Sequence, residues 1–522
     1  MRKIVMYDTT LRDGSQAEGI SYSVSDKLLI AHKLDELGVD YVEGGWPGSN
    51  PKDLEFFRKL KSLKFRHAQM VAFGSTRRKN TAAAKDPSVR ALAQAGVSIV
   101  TIFGKSWDLH VRDVLRASLE ENLEMIRDTV RFLRSKKMRV FYDAEHFFDG
   151  YKSNPEYALQ TLRAAADAGA EILVLCDTNG GTLTTELTRI VAEVKRKVNV
   201  PLGIHVHNDC GMAVANSVAA VEAGCSQVQG TINGYGERCG NADLCAIIPC
   251  LQIKLGMQCL DKAKLKELAE VSRFVSDVSN MKQQDNQPFV GTSAFAHKAG
   301  VHINAMLKNP QSYEHITPEL VGNQRRYLAS ELAGKTSLLF KAQQMSMSLK
   351  KESKATKELH RQIQTLEHAG YQFEAAEASF ELLIKKALKK YTRFFELEGF
   401  QVSVEKRQDN TLISQATVKI SVNGEQEHTA SEGDGPVNAL DSALRKALQD
   451  FYPELATMHL SDFKVRVLDS KAGTAAKVRV FIESQDEKSS WWTVGVSENI
   501  IEASWQALVD SIEYKLLKER GR

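Results

Sequence analysis

The sequence predicts an α/β protein that begins with a closed TIM (β/α)8 barrel and continues into a helical linker subdomain and a C-terminal α+β domain. Three observations predict this architecture. Eight short apolar segments alternate with helical segments up to about residue 250. Glycines end several of those helices just before a strand begins. Beyond residue 392, apolar residues recur with period two, which is typical of half-buried strands.

Eight predicted strands follow one another at intervals that suit strand–helix units. They are KIVMYDTT, VDYVEGG, HAQMVAFG, VSIVTIFG, MRVFYDAEHF, EILVLCDT, VPLGIHVHND and SQVQGTING. At four helix-to-strand joints a glycine occupies the position of a left-handed C-terminal residue: Gly38, Gly96, Gly169 and Gly224. An open doubly wound sheet is the rival arrangement, but no GxGxxG phosphate loop follows the first strand. The pattern therefore favours the barrel, whose reactive side chains lie at the carboxyl ends of its strands.

Two further regions follow the predicted barrel, which we assign to residues 1–258. Residues 259–391 have the pattern of helices and loops, including the charged stretch LKKESKATKELHRQIQTLEHAG, whose charges are expected to be solvated. In the predicted C-terminal domain, residues 392–522, the helices PVNALDSALRKAL and NIIEASWQALVDSI match when Val437 is aligned with Ile501, an offset of 64 residues. Because strands precede both helices, we interpret this domain as a pseudo-twofold duplication.

Composition is that of a soluble globular protein and disfavours two classes of partner. The chain has 522 residues, 43% of them hydrophobic and 26% charged, with a net charge of +4. It lacks a Lys/Arg-dense arm for nucleic acid and an apolar run long enough to cross a membrane. The N-terminal MRKIVMYDTT lacks the apolar core of a secretion signal, so the cytoplasm is expected. All seven cysteines lie between Cys176 and Cys259 without CxxC spacing, which favours buried, reduced thiols over a disulfide framework.

Polar side chains are concentrated at the carboxyl ends of the predicted strands. They come from strands one, two, five, six and seven and from the loop after strand eight: Arg12, Asp13, Gln16, Glu43, Asp143, Glu145, His146, Asp177, Thr178, His205, His207, Asn208, Asp209, Glu237, Arg238 and Asn241. Because the carboxyl ends of parallel strands meet at one mouth of a barrel, we expect a dense polar rim there.

His205 and His207 stand two residues apart on strand seven, so their imidazoles share a face. The pair is either two hydrogen-bonded core histidines or two metal ligands. Closure of the barrel brings strands seven, eight and one together, so the imidazoles can meet Asp13 and Asn241. Two nitrogens, oxygen ligands and open positions suit a divalent ion such as Mn, Mg or Zn that also binds substrate oxygens.

Arg12 is a permanent cation next to the expected metal, suited to stabilising developing negative charge. We expect Glu145 to hydrogen-bond to Arg12 and to accept a proton; a purely structural salt bridge is the alternative. Thr178, in CDTNGG, is expected to hold a carboxylate through its hydroxyl or to cap the following helix, and both can be true.

As a set, these motifs resemble the DRE-TIM metallolyase family: TLRDGSQ, the glutamate after strand two, DT after strand six, HVHND and GERCGN. Beyond the barrel, HKAGVH, Tyr313 and the two-part C-terminal domain are similar to the branch of 2-isopropylmalate and citramalate synthases. The segments VEGGWPGSNPKD and FGKSWDLHV are similar to the long-form citramalate synthases. The resemblance implies a metal-dependent Claisen condensation of pyruvate with acetyl-CoA, followed by thioester hydrolysis to citramalate and CoA.

The resemblance also implies roles for residues at matching positions. It makes Asp13, His205 and His207 the protein ligands of the metal, with Asn241 as a further one. The substrate-binding residues implied are Arg12, Gln16, Glu43 and Thr178. The catalytic residues implied are Arg12, Glu145, His302 and Tyr313, the last two from the linker subdomain.

Two implied features stay open at the level of sequence. Either Glu145 or His302 could be the base that deprotonates acetyl-CoA. Relatives often carry Asp-Gly shortly after the histidine, whereas this chain departs from that pattern and has HINAM, with Asn304.

The resemblance implies that residues 392–522 bind isoleucine as a feedback effector and form a homodimer; a plain dimerisation domain is the alternative. Three other functions compete with pyruvate condensation. The same chemistry could act on a longer 2-oxo acid, as in 2-isopropylmalate or homocitrate synthase. A hydroxyacyl-CoA lyase is disfavoured because the chain continues far beyond the barrel. A non-catalytic barrel is disfavoured by the intact set of polar residues.

Overall fold

The computed structural model describes residues 2–61, 63–327, 354–388, 390–468, 476–487 and 489–520. The eight predicted strands form a closed barrel of parallel strands in chain order. Their bounds are β1 Val5–Asp8, β2 Tyr41–Gly45, β3 Gln69–Ser75, β4 Ile99–Lys105, β5 Arg139–Glu145, β6 Ile172–Asp177, β7 Leu202–Val206 and β8 Gln227–Gly230. The predicted barrel is thus confirmed, and β8 closes it by pairing with β1, Val5 opposite Gln227.

Helices surround the barrel and two apolar layers stabilise it. The helices are α1 Val24–Leu37, α2 Pro51–Leu60, α3 Pro87–Gln94, α4 Leu119–Ser135, α5 Phe147–Ser153, α6 Pro155–Asp167, α7 Thr184–Lys197, α8 Ala213–Glu222, α9 Leu244–Pro249 and α10 Leu268–Val278. Alternate strand residues face these helices, while the others fill the interior with a cluster around Tyr7, Tyr41, Val71, Ile99 and Phe141. Burial on both faces explains the nearly continuous apolar strands in the sequence.

The glycine pattern at the helix ends is confirmed by backbone geometry. Gly38 ends α1 with φ +89°, and Gly96, Gly169 and Gly224 also have positive φ, from +82° to +124°. Residues with a β-carbon avoid this region, so glycine allows the chain to leave each helix and enter the next strand within a few residues. These short connections place the strand ends, and hence the polar rim, at one mouth.

The described residues form two compact units, which we describe separately. The first comprises residues up to Phe295 together with Ile316–Arg325, and the second comprises Ala296–His315 and the described residues from Arg326 onward. The predicted boundaries at 258 and 391 stay predictions. Residues 349–353 of the predicted charged helix lie outside the described residues, and the rest of that stretch forms a helix, Lys354–His368.

The second unit contains the predicted duplication. Two antiparallel sheets, β11–β12–β13 and β14–β15–β16, are each followed by one long helix. The bounds are β9 Ala296–His297, α11 Gly300–Lys308, β10 Arg326–Tyr327, helix Glu377–Ala387, β11 Glu396–Lys406, β12 Leu412–Val422, β13 Glu425–Gly433, helix Pro436–Gln449, β14 His459–Val467, β15 Val478–Gln485, β16 Ser490–Ser497 and helix Ile500–Arg520. The segment SQATVKISVNGEQEHT, which has the period-two pattern of this region, forms two strands. Asn423 and Gly424, both with positive φ, form a tight turn between them.

Two further sequence expectations concern cysteines and membranes. All seven cysteines are free, but Cys210 and Cys239 are exposed, so the expectation of buried thiols holds for only part of the set. Among the described residues we find no helix with both the length and the apolar character needed to cross a membrane.

Candidate active site

The turn after β1 is built by the side chain of Asp8. Its carboxylate accepts hydrogen bonds from the backbone N–H and the hydroxyl of Thr10, both at 2.9 Å. The backbone N–H groups of Arg12 and Gly14 then donate to the carbonyl of Thr9 at 3.2 and 3.0 Å. The chain therefore turns back on itself, and Arg12 and Asp13 are held at the mouth of the barrel. Burial raises the pKa of Asp8 to about 7.

Three buried side chains converge there, as expected from the sequence. Oδ2 of Asp13 lies 3.2 Å from Nε2 of His205 and 3.9 Å from Nε2 of His207. One potential ligand atom from each of the three residues lies within 4.8 Å of the other two. Strand alternation places both imidazoles on the interior face of β7, with ring centroids 5.2 Å apart.

Electrostatics favour the metal-binding forms of two of the three residues, Asp13 and His207. Burial raises the pKa of Asp13, but the charges of Arg12 and His205 outweigh it, so the net pKa lies well below the usual range. Burial and the charge of His205 lower the pKa of His207 to about 4. Asp13 is therefore a carboxylate and His207 a neutral imidazole at neutral pH, which are the forms that bind metals. Burial lowers the pKa of His205, but its hydrogen bond to Asp13 and the charge of that carboxylate outweigh burial and raise this pKa, so a cation must displace a proton from His205.

Asn241 completes a donor set that fits a divalent cation. It follows β8, and its Nδ2 donates to Oδ2 of Asp13 at 2.8 Å. Its Oδ1 is buried and has no hydrogen-bond partner within the described part of the chain. A half-turn of the amide exchanges these two similar atoms and would present the oxygen to a cation on Asp13. One carboxylate, two imidazoles and an amide oxygen are ligands found for Mn, Mg or Zn.

Arg12 is fixed by Glu43 rather than by Glu145. Its Nε donates to Oε1 of Glu43 at 2.5 Å, and its guanidinium carbon lies 3.8 Å from the ring centroid of Phe73. The other oxygen of Glu43 accepts the hydroxyl of Tyr7 at 2.5 Å, and that hydroxyl lies 2.8 Å from Oγ1 of Thr101. Glu43 is fully buried, so this cation is oriented by a carboxylate with little freedom to move.

The expected pairing of Arg12 with Glu145 was therefore wrong. Glu145 forms an ion pair with Lys105 instead. The cause is strand register: Lys105 of β4 lies directly opposite Glu145 of β5, whereas β1 is adjacent to β2, which carries Glu43. Glu145 still lies at the carboxyl end of its strand.

Thr178 does not cap the following helix, which begins six residues later at Thr184. Its Oγ1 accepts the backbone N–H of His146 at 2.9 Å. His146 has a left-handed backbone, φ +54°, which aims that N–H at the hydroxyl. Because the hydroxyl oxygen is the acceptor in this bond, its own proton is available to a further acceptor.

Several other rim residues have structural partners. Arg238 donates to both oxygens of Asp209, at 2.7 and 3.0 Å, and lies 3.6 Å from Glu237. Asp177 accepts the N–H and hydroxyl of Thr182. In the same way, Asn208 accepts the backbone N–H of Ala213.

Gln16 lies in the turn beyond Asp13 and lines a cavity of about 270 Å³. Arg12, Trp46 and residues of α1 and α2 line the same cavity. The structure thus places Gln16 beside Arg12 in an open space of small-molecule size.

His302 and Tyr313 lie in the second unit, where their rings stack with centroids 4.1 Å apart. Asn304 follows on the same helix, α11. The roles of these residues stay predictions.

Sequence reasoning missed Tyr7, Thr101, Lys105 and Gln229. Gln229 is buried on the interior face of β8 and lies between His205 and Asp143. A signal for it was available, because Gln227 and Gln229 are two glutamines at alternate positions in an otherwise apolar strand.

Comparisons with known proteins agree with this architecture. Residues 3–275 match the HMGL-like family model. Residues 289–370 match the homocitrate synthase post-HMGL domain-like model, and residues 374–516 match the LeuA allosteric (dimerisation) domain.

Several relatives match this chain over nearly its whole length. The chain is 55% identical over 519 residues to the (R)-citramalate synthase of Geobacter sulfurreducens, covering 99% of this chain and 98% of that protein. It is 56% identical to the (R)-citramalate synthase of Aquifex aeolicus over the same shares. The 2-isopropylmalate synthase of Methanocaldococcus jannaschii is 32% identical, with 100% and 96% covered. The chain belongs to the HMGL-like family and, within it, to the (R)-citramalate synthases.

Proposed function

We propose that the protein condenses pyruvate with acetyl-CoA and hydrolyses the resulting thioester, giving citramalate and CoA. The observation that carries this proposal is the convergence of Asp13, His205 and His207 beside the immobilised Arg12. The (R)-citramalate synthases to which the chain is 47–56% identical support it. In balance, one C–C bond forms, one C–H bond and one thioester bond break, and one water is consumed.

Asp13, His205, His207 and the oxygen of Asn241 would hold a divalent cation, Mn, Mg or Zn. When bound, such a cation polarises the keto group of the oxo acid and binds its oxygens. Nη1 of Arg12 lies 3.6 Å from Oδ1 of Asp13, so its charge is close to the position proposed for the keto oxygen. As the keto carbon is attacked, negative charge develops on that oxygen and Arg12 stabilises it. Glu43 keeps the guanidinium in place during this change.

Thr178 is proposed to donate its hydroxyl proton to the carboxylate of pyruvate. The hydrogen bond from His146 supports this role, because it orients the hydroxyl oxygen and leaves the proton for the substrate. Gln16 is proposed to contact the substrate from the cavity beside Arg12. Glu43 is better described as a residue that positions Arg12 than as one that contacts substrate.

Removal of a methyl proton from acetyl-CoA requires a base, and Glu145 and His302 are the two candidates. Glu145 forms an ion pair with Lys105 at the end of β5, and a carboxylate is a group that accepts protons. His302, with Tyr313, is proposed from its sequence motif alone. Exchange of the methyl protons of acetyl-CoA with deuterated water, compared between Glu145→Gln and His302→Gln, distinguishes them. The variant that loses exchange has lost the base.

An aromatic wall lies next to Arg12, and we propose that it contributes to the preference for pyruvate over longer oxo acids. Phe73 and Phe103 stack with centroids 5.5 Å apart, and Trp46 packs edge-on against both, at 5.9 and 5.6 Å. We propose that these rings line the side of the site that receives the methyl group of pyruvate. The alternative is a 2-isopropylmalate or homocitrate synthase, and 2-isopropylmalate synthases are relatives at 31–32% identity.

The second unit is proposed to bind isoleucine as a feedback inhibitor and to form the interface of a homodimer. The match to the LeuA allosteric (dimerisation) domain supports this role. With isoleucine as effector, the reaction would be the first step of the pyruvate route to isoleucine, in the cytoplasm. A chain ending at residue 373 should then lose inhibition by isoleucine while wild type keeps it.

A thiol-release assay tests the proposed reaction. Purified protein, stripped with chelator and supplied with Mn²⁺, Mg²⁺ or Zn²⁺, is mixed with acetyl-CoA and one of pyruvate, 2-oxobutanoate, 2-oxoisovalerate or 2-oxoglutarate. We expect metal-dependent CoA release with pyruvate and citramalate as the product by mass spectrometry. Release with 2-oxoisovalerate but not with pyruvate would replace the proposal with its alternative.

A further inference from the structure

A buried glutamine lies behind one of the two converging histidines. Gln229 of β8 is fully buried, and its Oε1 lies 2.9 Å from Nδ1 of His205 on the neighbouring strand β7. Its Nε2 donates to Oδ1 of Asp143, on β5, at 3.1 Å. Asp143 is 3% exposed. The three side chains form a hydrogen-bonded line across the barrel interior, from β5 through β8 to β7.

This line determines which nitrogen of His205 carries a hydrogen. The amide nitrogen of Gln229, which can only donate, faces Oδ1 of Asp143. Its amide oxygen then faces His205, and an oxygen can only accept. Nδ1 of His205 therefore carries a hydrogen and donates it to Gln229, and Nε2, 3.2 Å from Oδ2 of Asp13, is the nitrogen that exchanges its proton for a cation.

We infer that Gln229 is a positioning residue for the metal centre, and that Asp143 anchors it. Its two hydrogen bonds hold the imidazole of His205 in the tautomer and ring orientation that present a lone pair at Nε2. The inference rests on the proposed function in so far as a divalent cation binds there. Such outer partners of metal-bound histidines typically change metal affinity by about 10–100-fold when removed.

The second histidine lacks the same support. Nδ1 of His207 is buried and has no hydrogen-bond partner among the residues described. His205 is thus the pre-oriented ligand of the pair. Loss of Gln229 should remove the only protein hydrogen bond, among described residues, that orients an Nδ1 atom in this centre.

The same strand provides a matched control. Gln227 is also fully buried and faces the interior one layer below Gln229, opposite Gly203 of β7. Neither its amide nitrogen nor its amide oxygen has a hydrogen-bond partner within the described ranges. Gln227→Leu therefore removes an equivalent buried amide from the same strand without touching His205.

The experiment measures Mn²⁺ affinity of the full-length, chelator-stripped protein by calorimetry and by electron paramagnetic resonance. We expect Gln229→Leu to weaken binding by about 10–100-fold and Gln227→Leu to change it less than about twofold. Gln229→Met, which preserves chain length and shape, should weaken binding similarly, and serves if the leucine variant does not fold. Thermal unfolding of the metal-free proteins checks that the barrel is intact.

An exchange of partners separates hydrogen bonding from packing. The double variant Gln229→Glu with Asp143→Asn interchanges amide and carboxylate, keeps the net charge, and allows both hydrogen bonds to form again. It should recover affinity to within about threefold of wild type, whereas Gln229→Glu alone places two carboxylates together and should bind less tightly than the double variant.

Four outcomes would overturn the inference. Wild-type affinity in both Gln229→Leu and Gln229→Met would show that the glutamine does not position the ligand. An equal loss in Gln227→Leu, or no recovery in the double variant, would show that only packing matters. Failure of wild type itself to bind Mn²⁺ would instead remove the proposed metal centre, and the inference with it.

Discussion

Glu43→Gln should reduce turnover more than it changes the fold. The substitution retains the shape of the side chain but removes the charge that fixes Arg12. Glu43 is fully buried and accepts two hydrogen bonds of 2.5 Å, one from Arg12 and one from Tyr7. A hydrogen bond to a charged group contributes about 1.5–3 kcal/mol and a neutral one about 0.5–1.5 kcal/mol. Loss of the charge therefore lowers the free energy of unfolding by about 2–3 kcal/mol over the two bonds.

Turnover should fall because Arg12 is no longer oriented. Removing a donor that stabilises a developing oxyanion costs about 10²–10³ in kcat. Arg12 remains present in Glu43→Gln, so we expect a smaller loss, about 10–100-fold in kcat, with less change in KM for pyruvate. The assay is steady-state CoA release at saturating metal, with thermal unfolding measured on the same samples.

Asp35→Asn is the matched control. Asp35 is a buried carboxylate near the end of α1, remote from the mouth of the barrel, and it accepts the backbone N–H groups of Arg66, His67 and Ala68 at 2.8–3.0 Å. Its loss should lower stability comparably and leave kcat within about twofold. If Glu43→Gln kept wild-type kcat while Glu145→Gln lost about 100-fold, the assignment of Glu43 as the partner that orients Arg12 would be refuted.

Three further predictions follow from other side chains. His207→Ala should lose bound metal and CoA release together; metal analysis by mass spectrometry that found full occupancy would contradict this. Lys105→Met should lower kcat by about 10-fold if Glu145 is the base, because the ion pair that holds this carboxylate in place is gone; an unchanged kcat argues for His302. Burial raises the pKa of Asp510 from 3.8 to about 6, opposed by Lys386. The folded chain therefore binds this proton more tightly than the unfolded chain, so stability should fall as pH rises from about 4 to about 6. In Asp510→Asn, the midpoint of thermal unfolding should depend less on pH between about 4 and about 6. If this pH dependence were the same as in wild type, Asp510 would be excluded as its source.

The features predictable from sequence were those fixed by local geometry. Strand alternation places His205 and His207 on one face, and a single peptide bond keeps Arg12 beside Asp13. Helix-ending glycines marked the spacing of the strands. Each of these relations spans a few residues, so it can be deduced without knowing the fold.

Relations between distant strands could not be deduced in the same way. The partner of Arg12 depends on how β1 pairs with β2 and how β4 pairs with β5. A shift of either register by one residue would exchange interior and exterior side chains. Glu43 and Glu145 were both at strand ends, and only the packed barrel distinguishes them. By contrast, the turn at Asn423 and Gly424 had a clear local signal, since Asn-Gly between alternating residues predicts a two-residue hairpin.

Arg12 and Asp13 are adjacent in the chain, whereas the aromatic wall comes from other strands. The residues proposed for reactivity are therefore separate from those proposed for substrate choice. Consecutive Cα atoms are about 3.8 Å apart whatever the surroundings, so covalent structure alone limits how far the guanidinium can move from the carboxylate. The aromatic wall, in contrast, comes from other strands: Phe73 from β3 and Phe103 from β4. Divergence or engineering can therefore reshape that wall to admit bulkier acids while the electrostatic pair stays intact. An insertion between residues 12 and 13 would separate the guanidinium of Arg12 from the carboxylate of Asp13. It should therefore impair both charge stabilisation and metal binding.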